Sequence, residues 1–312
     1  MTNVLAIGHY ADHDQDALRA DLLARIVTTN AEIAALPETD RQQVTALAFM
    51  GHEPFGGTDM DLLPNLGLIA NFGVGYDAID VDAAGARGVK VTNTPDVLND
   101  DVADLAVALL IAQGREMIPA SNWVTSGNWG TKGNFRLARK ISGGSAGIVG
   151  LGRIGRTIAD RLTAFKMDIH YTSRREKETP GWTYHSNPVS LAKAVDYLIV
   201  ALVGGPDTEN QVSKTVLEAL GPRGIVVNIS RGSTVDEDAL LDALENGTIA
   251  GAGLDVFQGE PQIDPRFLKL ENVVLQPHQG SATVETRAAM GQLQRDNIHA
   301  FLAGRDLLTP VN

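Results

Sequence analysis

Three side chains with complementary chemistry each follow a run of apolar residues that predicts a β-strand. Arg231 comes directly after "GIVVNIS", Glu260 lies in "GLDVFQGEP", and His278 lies in "NVVLQPHQGSAT". In a parallel sheet the carboxyl ends of the strands share one edge, so we expect the three side chains to lie along it. Taken singly, each also fits an ordinary role, as an ion pair, a solvated turn residue or a loop histidine. Together they predict a catalytic site.

The chemistry of this set matches the reduction of a 2-keto acid by hydride transfer. A guanidinium such as that of Arg231 holds a carboxylate through two parallel hydrogen bonds. A protonated His278 can give its proton to the carbonyl oxygen while a hydride reaches the carbon. The carboxylate of Glu260 would orient the imidazole and favour its protonated form. We therefore predict Arg231, Glu260 and His278 as the catalytic residues.

A glycine motif upstream of these residues indicates where a hydride donor would bind. The segment "GIVGLGRIGRTIADRLTAF" places Gly150, Gly152 and Gly155 in the G-x-G-x-x-G spacing. The motif follows a predicted strand and opens a helix with apolar residues at helical spacing, which is the context that dinucleotide binding requires. The first glycine permits a tight turn, the second lets a pyrophosphate approach the backbone, and the third lets the helix pack on the strand. The alternative is a glycine-rich packing turn.

The next predicted strand runs into "IHYTSRREKE", which favours a particular cofactor. Dinucleotide-binding domains commonly carry an acidic residue about 20 residues past the first glycine, where it binds the ribose hydroxyls. Here Thr172 stands at that position and is followed by Ser173, Arg174 and Arg175. Guanidiniums match a phosphate, and each charge-assisted contact contributes about 1.5–3 kcal/mol. We predict NADP(H) as the preferred cofactor and NAD(H) as a weaker one; the alternative is a solvated surface turn.

Short β-type runs alternate with helical patterns, which predicts parallel sheets flanked by helices. The predicted strands lie in "NVLAIG", "VTALAFMG", "LGLIANFG", "GVKVTNTP", "SAGIVG", "MDIHYTS", "YLIVAL", "GIVVNIS", "IAGAGLDV" and "NVVLQP". The segments "TPDVLNDDVADLAVALLIAQGR" and "TVETRAAMGQLQRDNIHAFLAG" predict long helices, and "SGNWGTKGNFRLARKISGG" predicts an extended loop. The expected fold class is α/β, with two doubly wound parallel-sheet domains.

The charge and the cysteine content of the chain exclude several classes of binding partner and metal site. Lys and Arg total 26 against 38 Asp and Glu, a formal net charge of −12. An acidic surface repels phosphate backbones and anionic membranes, so we expect no nucleic acid and no membrane partner. The chain has no cysteine, which excludes disulfides and thiolate metal sites and fits a reducing cytosol. No signal peptide or membrane span is indicated, so we expect a cytoplasmic protein. No H-x-x-x-H or carboxylate cluster indicates a metal.

Five motifs resemble those of a known family: "VTNTPDVLNDDVADLA", "GIVGLGRIG", "VVNISRGSTVDEDAL", "GAGLDVFQGEP" and "LQPHQGSATVETR". The chain resembles the D-isomer-specific 2-hydroxy-acid dehydrogenases, especially their glyoxylate/hydroxypyruvate reductase branch; residues 1–65 match only in general character. The resemblance implies a Rossmann cofactor domain at residues 99–285. That domain would be inserted into a flavodoxin-like substrate domain formed by residues 1–98 and 286–312. It also implies a homodimer joined through the cofactor domain, with "LAVALLIA" and the loop around Trp129 contributing.

The same resemblance implies the remaining site residues. The substrate carboxylate would meet the backbone amides of Val74 and Gly75 as well as Arg231 and His278. The implied cofactor contacts come from Gly150, Leu151, Gly152, Arg153, Ile154, Gly155, Thr172, Ser173, Arg174, Arg175, Val203, Ile229, Asp255, His278, Gly280 and Ser281, with Asp255 on the nicotinamide carboxamide.

Two departures from the family pattern affect individual contacts. Relatives commonly carry a Pro-Leu-Thr turn where this chain has Val203, Gly204 and Gly205, which makes the turn more flexible and affects the contact by Val203. After His278 an aliphatic residue is usual, yet Gln279 stands here. Gln279 would either add a hydrogen bond to the substrate or nicotinamide, or face solvent.

The expected activity is the NADPH-dependent reduction of small anionic 2-keto acids, glyoxylate and hydroxypyruvate first. The main alternative is an aromatic 2-keto acid such as hydroxyphenylpyruvate, because the segment at residues 50–80 that would line the pocket matches poorly. A cofactor-sensing protein like the corepressors that share this fold is less favoured. The acidic surface, the lack of appended tails and the NADP-type pocket all argue against it. A phosphoglycerate dehydrogenase would need a further cation for the substrate phosphate, and the sequence shows none.

Overall fold

The named strands form two fully parallel sheets in a computed structural model that describes residues 3–312. The first sheet has the order β2-β1-β3-β4-β5 and the second the order β12-β11-β10-β9-β6-β7-β8. The strands of the first sheet are β1 (Val4–Ile7), β2 (Arg25–Val27), β3 (Ala46–Phe49), β4 (Leu68–Asn71) and β5 (Lys90–Thr92). Those of the second are β6 (Ser145–Val149), β7 (Asp168–Thr172), β8 (Thr183–His185), β9 (Tyr197–Val200), β10 (Ile225–Asn228), β11 (Gly251–Leu254) and β12 (Val273–Leu275).

Helices connect most successive strands, as parallel pairing favours. Residues 173–182 join β7 to β8 without a helix, and the segment between β11 and β12 contains only the 3-10 turn Phe267–Lys269. In chain order the helices are α1 (Asp12–Leu22), α2 (Asn30–Ala35), α3 (Glu38–Arg41), α4 (Gly57–Met60), α5 (Val81–Ala86), α6 (Asn99–Gly114), α7 (Met117–Thr125), α8 (Asn128–Lys132), α9 (Arg153–Ala164), α10 (Pro188–Ala192), α11 (Lys214–Leu220), α12 (Glu237–Glu245) and α13 (Val284–Leu302). Both strand orders are those of doubly wound folds, flavodoxin-like in the first sheet and Rossmann-like in the second. The predicted fold class is confirmed.

The chain divides into two compact units. One comprises residues 1–98 and 283–312, and the other comprises residues 99–282. The sequence predicted the second boundary between residues 285 and 286. In the structure it lies between residues 282 and 283, just before α13. The assignment of the first unit to substrate and the second to cofactor stays a prediction.

Each unit has its own apolar core, because the central strands are buried on both faces. Every residue of β1, β3 and β4 is buried in the first unit, as is every residue of β9, β10 and β11 in the second. Strands covered on both faces read as continuous apolar runs, which is why these segments were recognisable in the sequence. The cores fix the positions of the strand ends that carry the polar residues.

The structure corrects the predicted elements in two places. Strands β2 and β8 were not predicted; each has only three residues and lies at the edge of its sheet. The segment predicted as an extended loop contains the short helix α8, and α7 precedes it. Neither helix buries a residue, so neither leaves a periodic apolar pattern in the sequence.

Across residues 3–312, no helix combines the length and the apolar character needed to cross a bilayer.

Candidate active site

The carboxyl ends of β10, β11 and β12 carry the three predicted catalytic residues, and these strands are neighbours in the second sheet. The structure brings Glu260 and His278 into contact: Nδ1 of the imidazole lies 2.7 Å from Oε2 of the carboxylate. The other carboxylate oxygen accepts the backbone N–H of Phe257 at 2.8 Å. The side chains of His278 and Glu260 are 31% and 24% exposed, so the pair is largely enclosed yet reachable from solvent.

The backbone around His278 is held by Asp255 at the end of β11. The N–H of His278 donates to the carbonyl of Asp255 at 2.9 Å. Those of Gln279 and Gly280 donate to its two carboxylate oxygens at 2.6 and 2.8 Å. His278 itself has a φ of 55°, a left-handed conformation that non-glycine residues adopt only when their surroundings enforce it. Three consecutive amides bound to one residue provide that enforcement.

Asp255 is almost fully buried, with 1% of its surface exposed. Burial raises its pKa, and the hydrogen bonds from Gln279 and Gly280 lower it in part. The sequence assigned Asp255 only to the cofactor. Its hold on the His278 loop was missed, because backbone amides carry no signature in a sequence.

Arg231 lies just past β10, where polar side chains fix its backbone. Its carbonyl accepts the side-chain N–H of Asn228 at 2.9 Å and the hydroxyl of Thr234 at 2.7 Å. The next residue, Gly232, packs closely on the loop that follows β11. A Cβ added to Gly232 would lie 2.0 Å from the carbonyl carbon of Phe257 in that loop. Phe257 is the residue whose amide binds Glu260, so the segments that carry Arg231 and Glu260 are in direct backbone contact.

The glycine motif forms the turn from β6 into α9. Gly150 has a φ of 99°, and a Cβ there would meet the carbonyl oxygen of Ala201 at 2.6 Å. A Cβ on Gly155 would meet the carbonyl oxygen of Gly150 at 2.1 Å, so only glycine lets α9 approach the turn. A Cβ on Gly152 would point into open space. These are the three backbone conditions expected of a turn that a pyrophosphate approaches.

The amino end of α9 faces the same turn. Gly152 caps the helix without a side-chain hydrogen bond, and Arg153 and Ile154 follow as its first residues. The first-turn amides of a helix have no partner within the helix, which makes this end suited to a phosphate. Leu151, between the first two glycines, is buried with 2% of its surface exposed.

Thr172 is the last residue of β7, as predicted. Its carbonyl accepts the N–H of Gly150 at 3.0 Å, so the end of β7 and the glycine turn are hydrogen-bonded to each other. Ser173 is half-buried, whereas Arg174 and Arg175 are exposed. Within residues 3–312, neither arginine forms a side-chain hydrogen bond or an ion pair.

The other predicted cofactor residues follow strands of the same sheet. Ile229 is buried directly after β10, and Gly280 is buried beside the carboxylate of Asp255. Ser281 is half-buried. Val203, in the turn after β9, is 68% exposed, and its carbonyl accepts the hydroxyl of Thr208 at 2.6 Å. That turn is therefore tied locally, although it lacks the family's usual residues.

Val74 and Gly75 lie in the first unit, in the loop that follows β4. The side-chain amide of Asn71, the last residue of β4, donates to the carbonyls of Gly73 at 3.0 Å and Gly75 at 2.8 Å. Asn93 donates to the carbonyl of Val74 at 2.9 Å. Three successive carbonyls are thus held by side chains, which fixes the loop's backbone. Neither asparagine was predicted from the sequence, although Asn71 is a polar residue that ends an otherwise apolar strand.

A dinucleotide fits the second unit on its own geometry. The turn at Gly150–Gly155 is open where the pyrophosphate would lie, the helix end is uncapped by side chains, and two exposed guanidiniums follow β7. Comparison with known proteins gives the same result. Residues 107–280 match the profile of the D-isomer specific 2-hydroxyacid dehydrogenase NAD binding domain.

The chain belongs to the D-isomer specific 2-hydroxyacid dehydrogenase family. It is 45% identical to glyoxylate/hydroxypyruvate reductase A of Arabidopsis thaliana over 91% of this chain and 90% of the relative. It is 46% identical to hydroxyphenylpyruvate reductase of Plectranthus scutellarioides over 81% of this chain and 80% of the relative. The resemblance read from the motifs is confirmed.

A solved structure extends the match to the three-dimensional fold of this dehydrogenase. It is the NADPH-dependent glyoxylate/hydroxypyruvate reductase of Sinorhizobium meliloti in complex with NADP and malonate. The two proteins align with a TM-score of 0.93 and 42% identity, covering 100% of this chain and 97% of the other.

Proposed function

We propose that this protein reduces small 2-keto acids, glyoxylate and hydroxypyruvate first, to 2-hydroxy acids with NADPH as hydride donor. The observation that carries the proposal is the 2.7 Å contact between Glu260 and His278 at the sheet edge that also bears Arg231. A guanidinium, a carboxylate-bound imidazole and a dinucleotide turn on one domain supply the three requirements of the reaction.

Each side chain has a defined task in this mechanism. Arg231 holds the substrate carboxylate and so aligns the neighbouring carbonyl. Glu260 engages Nδ1 of His278, so the proton exchanged with the substrate is the one on Nε2. A reduced nicotinamide cofactor held at the Gly150–Gly155 turn would supply the hydride for the carbonyl carbon. His278 gives its Nε2 proton to the carbonyl oxygen and becomes neutral, while its Nδ1 stays hydrogen-bonded to Glu260. The imidazole then takes up a proton from solvent. In the reverse direction the neutral imidazole acts as the base.

Positioning of the substrate carboxylate also involves the first unit in this proposal. The loop after β4 would offer the backbone amides of Val74 and Gly75. Its carbonyls are bound by Asn71 and Asn93, which fixes the directions of the peptide N–H groups in the loop.

The preference for NADP(H) over NAD(H) rests on the end of β7. Thr172 replaces the acidic residue that would bind the ribose hydroxyls and repel a 2′-phosphate. Arg174 and Arg175 are exposed and have no side-chain partner among residues 3–312, so both guanidiniums are available to a phosphate. The Sinorhizobium relative, which binds NADP, supports the same preference.

Hydroxyphenylpyruvate-type aromatic 2-keto acids are the second candidate substrates. The 46% identity to the Plectranthus hydroxyphenylpyruvate reductase favours them specifically. The chemistry of Arg231, Glu260 and His278 acts on the 2-keto acid group common to both classes, so the side-chain preference is decided elsewhere.

Two further properties belong to the proposal. The exposed apolar residues of α7 and α8, among them Ile118, Val124 and Trp129, support a homodimer that covers them. The absence of cysteine supports a cytoplasmic location, because a chain without disulfides does not need an oxidising compartment to fold.

A substrate panel tests the proposal directly. The purified protein would be mixed with NADPH or NADH and with glyoxylate, hydroxypyruvate or hydroxyphenylpyruvate, and the absorbance of the reduced nicotinamide followed. We expect turnover with the small keto acids and a higher kcat/KM with NADPH. No turnover with any 2-keto acid would refute the proposal.

A double variant tests the cofactor preference. Arg174→Ala with Arg175→Ala should raise the KM for NADPH by about ten- to a hundredfold and leave the KM for NADH nearly unchanged. The matched control is Arg305→Ala, which removes an exposed arginine in the first unit. An unchanged ratio of the two KM values in the double variant would mean that the arginines do not bind the 2′-phosphate.

A further inference from the structure

The segment at residues 173–178, which we call the arginine loop, is closed on itself by hydrogen bonds. The hydroxyl of Ser173 donates to the carbonyl of Arg175 at 2.6 Å. At the far end, the hydroxyl of Tyr171 accepts the backbone N–H of Lys177 at 2.9 Å and donates to its carbonyl at 3.0 Å. Tyr171 is fully buried, so it is a fixed anchor. The loop therefore leaves β7, displays its two arginines, and returns to the sheet at Lys177.

A second anchor follows immediately. The guanidinium of Arg156, in the second turn of α9, donates to the carbonyl of Glu178 and lies over the ring of Trp182. The backbone of Lys177 is thus bracketed by a tyrosine from β7 and an arginine from α9. Fixing this backbone fixes the direction in which the Cα–Cβ bond of Lys177 leaves the loop.

That direction is toward the glycine turn. The ammonium of Lys177 donates to the carbonyl of Leu151 at 2.5 Å, and Leu151 is the residue between Gly150 and Gly152. An ammonium has three N–H donors, and this contact uses one of them. In the described part of the chain no carboxylate lies within ion-pair distance of this ammonium. Among residues 3–312 its positive charge is therefore not paired with a carboxylate.

Lys177 thus occupies the junction of two binding elements. The carbonyl of Thr172 binds the N–H of Gly150, so the end of β7 and the glycine turn meet at that point. The adenosine ribose of a bound dinucleotide lies between these two elements in this fold. A 2′-phosphate on that ribose would come close to the ammonium from one side and to Arg174 and Arg175 from the other.

We propose that Lys177 is a third cation for the 2′-phosphate and so determines the preference for NADP(H), in addition to the two arginines. The inference rests on the proposed function, because it assumes that the second unit binds NADPH. Lys177 keeps one N–H on Leu151 and directs its remaining donors to the phosphate. The contact with Leu151 also links the arginine loop to the glycine turn, so both sides of the ribose site are set together.

A purely structural tether would behave differently from a phosphate ligand. The glycine turn serves both cofactors, so a tether that shapes it would affect NADPH and NADH alike. A charge that contacts the 2′-phosphate affects only NADPH. The two roles are separated by comparing ligands that differ in that phosphate alone.

The test measures binding of adenosine 2′,5′-bisphosphate and adenosine 5′-monophosphate by titration calorimetry, and KM values for NADPH and NADH. Lys177→Met removes the charge but keeps the length and apolar stem. We expect it to weaken the bisphosphate and NADPH by roughly tenfold. The monophosphate, NADH and kcat should change less than about twofold. Lys177→Arg should restore most of the loss, and Lys193→Met, an exposed lysine after α10, should change nothing.

The outcomes separate this inference from the proposed function. Equal weakening of both nucleotides by Lys177→Met would make Lys177 a tether and overturn the inference. Unchanged binding of both would also overturn it, and the proposed function would stand if Arg174→Ala with Arg175→Ala still reduced the preference for NADPH. A wild-type protein that binds the two nucleotides equally would overturn the proposed cofactor preference and this inference with it.

Discussion

At the residue scale, the sequence alone was enough to propose the catalytic set, because its chemistry is visible in side chains. Arg231, Glu260 and His278 are ionisable residues that follow apolar strands, and that pattern survives in a single sequence. The groups that hold them in place were not predictable. Asp255 binds three backbone amides around His278, and those amides become its neighbours only when β11 and β12 pair.

Replacing the imidazole should separate chemistry from cofactor binding. His278→Ala removes the proton donor, so kcat should fall by about 10²–10⁴-fold, while the dissociation constant for NADPH changes little. Steady-state kinetics and titration of NADPH fluorescence would measure the two effects. Because His299 is an exposed histidine in α13, His299→Ala serves as the control. Parallel loss of NADPH binding in His278→Ala would mean that the proton donor was misassigned.

Asn71 provides a second residue-scale prediction, this time for the substrate. Asn71→Ala removes the hydrogen bonds to the carbonyls of Gly73 and Gly75, so the loop carrying Val74 and Gly75 loses its fixed shape. The KM for the keto acid should rise by about tenfold or more, with the KM for NADPH unchanged. Asn65→Ala is the matched control, since Asn65 is an exposed asparagine that binds the carbonyl of Gln42. Equal rises in both KM values would contradict a role confined to the substrate loop.

At the element scale, the central strands were predictable, whereas the edge strands β2 and β8 were not. A strand buried on both faces requires a run of apolar residues, and β3, β4, β9 and β10 all show one. The edge strand β8 consists of Thr183, Tyr184 and His185 and buries none of them, so the sequence contains no apolar pattern that predicts this strand. It nevertheless matters to the candidate site, because the hydroxyl of Tyr184 donates to the carbonyl of Ser173 in the arginine loop.

The pairing of β7 with β8 should be sensitive to acid. His170 lies between Asp168 and His185: its Nε2 is 3.1 Å from the carboxylate of Asp168, and its Nδ1 is 2.9 Å from Nε2 of His185. Burial lowers the pKa of His185 below the ordinary value, and the neighbouring His170 lowers it further. A histidine with a lowered pKa resists protonation in the folded state, whereas the unfolded chain takes up the proton at the ordinary value.

This difference in pKa between the folded and unfolded states determines how the stability changes with pH. Well above the ordinary histidine pKa of about 6.5 both states are neutral, and His185 makes no contribution to the pH dependence. As pH falls through that value, the unfolded state binds the proton first and the folded state loses stability. Between pH 7.5 and 5.5, the thermal unfolding midpoint should fall by roughly 1–2 °C more in the wild type than in His185→Gln. The matched control is His9→Gln, and identical pH profiles for wild type and His185→Gln would contradict the argument.

At the scale of the whole molecule, charge and apolar surface indicate what the chain binds. A net charge of −12 disfavours anionic ligands in general, so the proposed binding of NADPH and a keto acid would depend on the local cations at Arg174, Arg175 and Arg231. Part of the exposed apolar surface lies on one helix, α7. Helix α7 contains Met117, Ile118 and Val124, each more than half exposed, and it buries none of its residues. A helix without a buried face gains little stability from packing, so a partner surface that covers it is expected.

The partner surface we predict is a second copy of the same chain. Two chains of 33.2 kDa should give a particle of about twice that mass in light scattering coupled to size-exclusion chromatography. Ile118→Glu with Val124→Glu places two carboxylates at exposed apolar positions of α7, where their desolvation would oppose association, so this variant should elute at the mass of one chain. Leu268→Glu alters a side chain that is 71% exposed in the same unit but outside α7 and α8, and should leave the mass unchanged. A wild-type chain that elutes at its own mass would show that α7 is tolerated in water, and a double variant that stays associated would place the interface on another face.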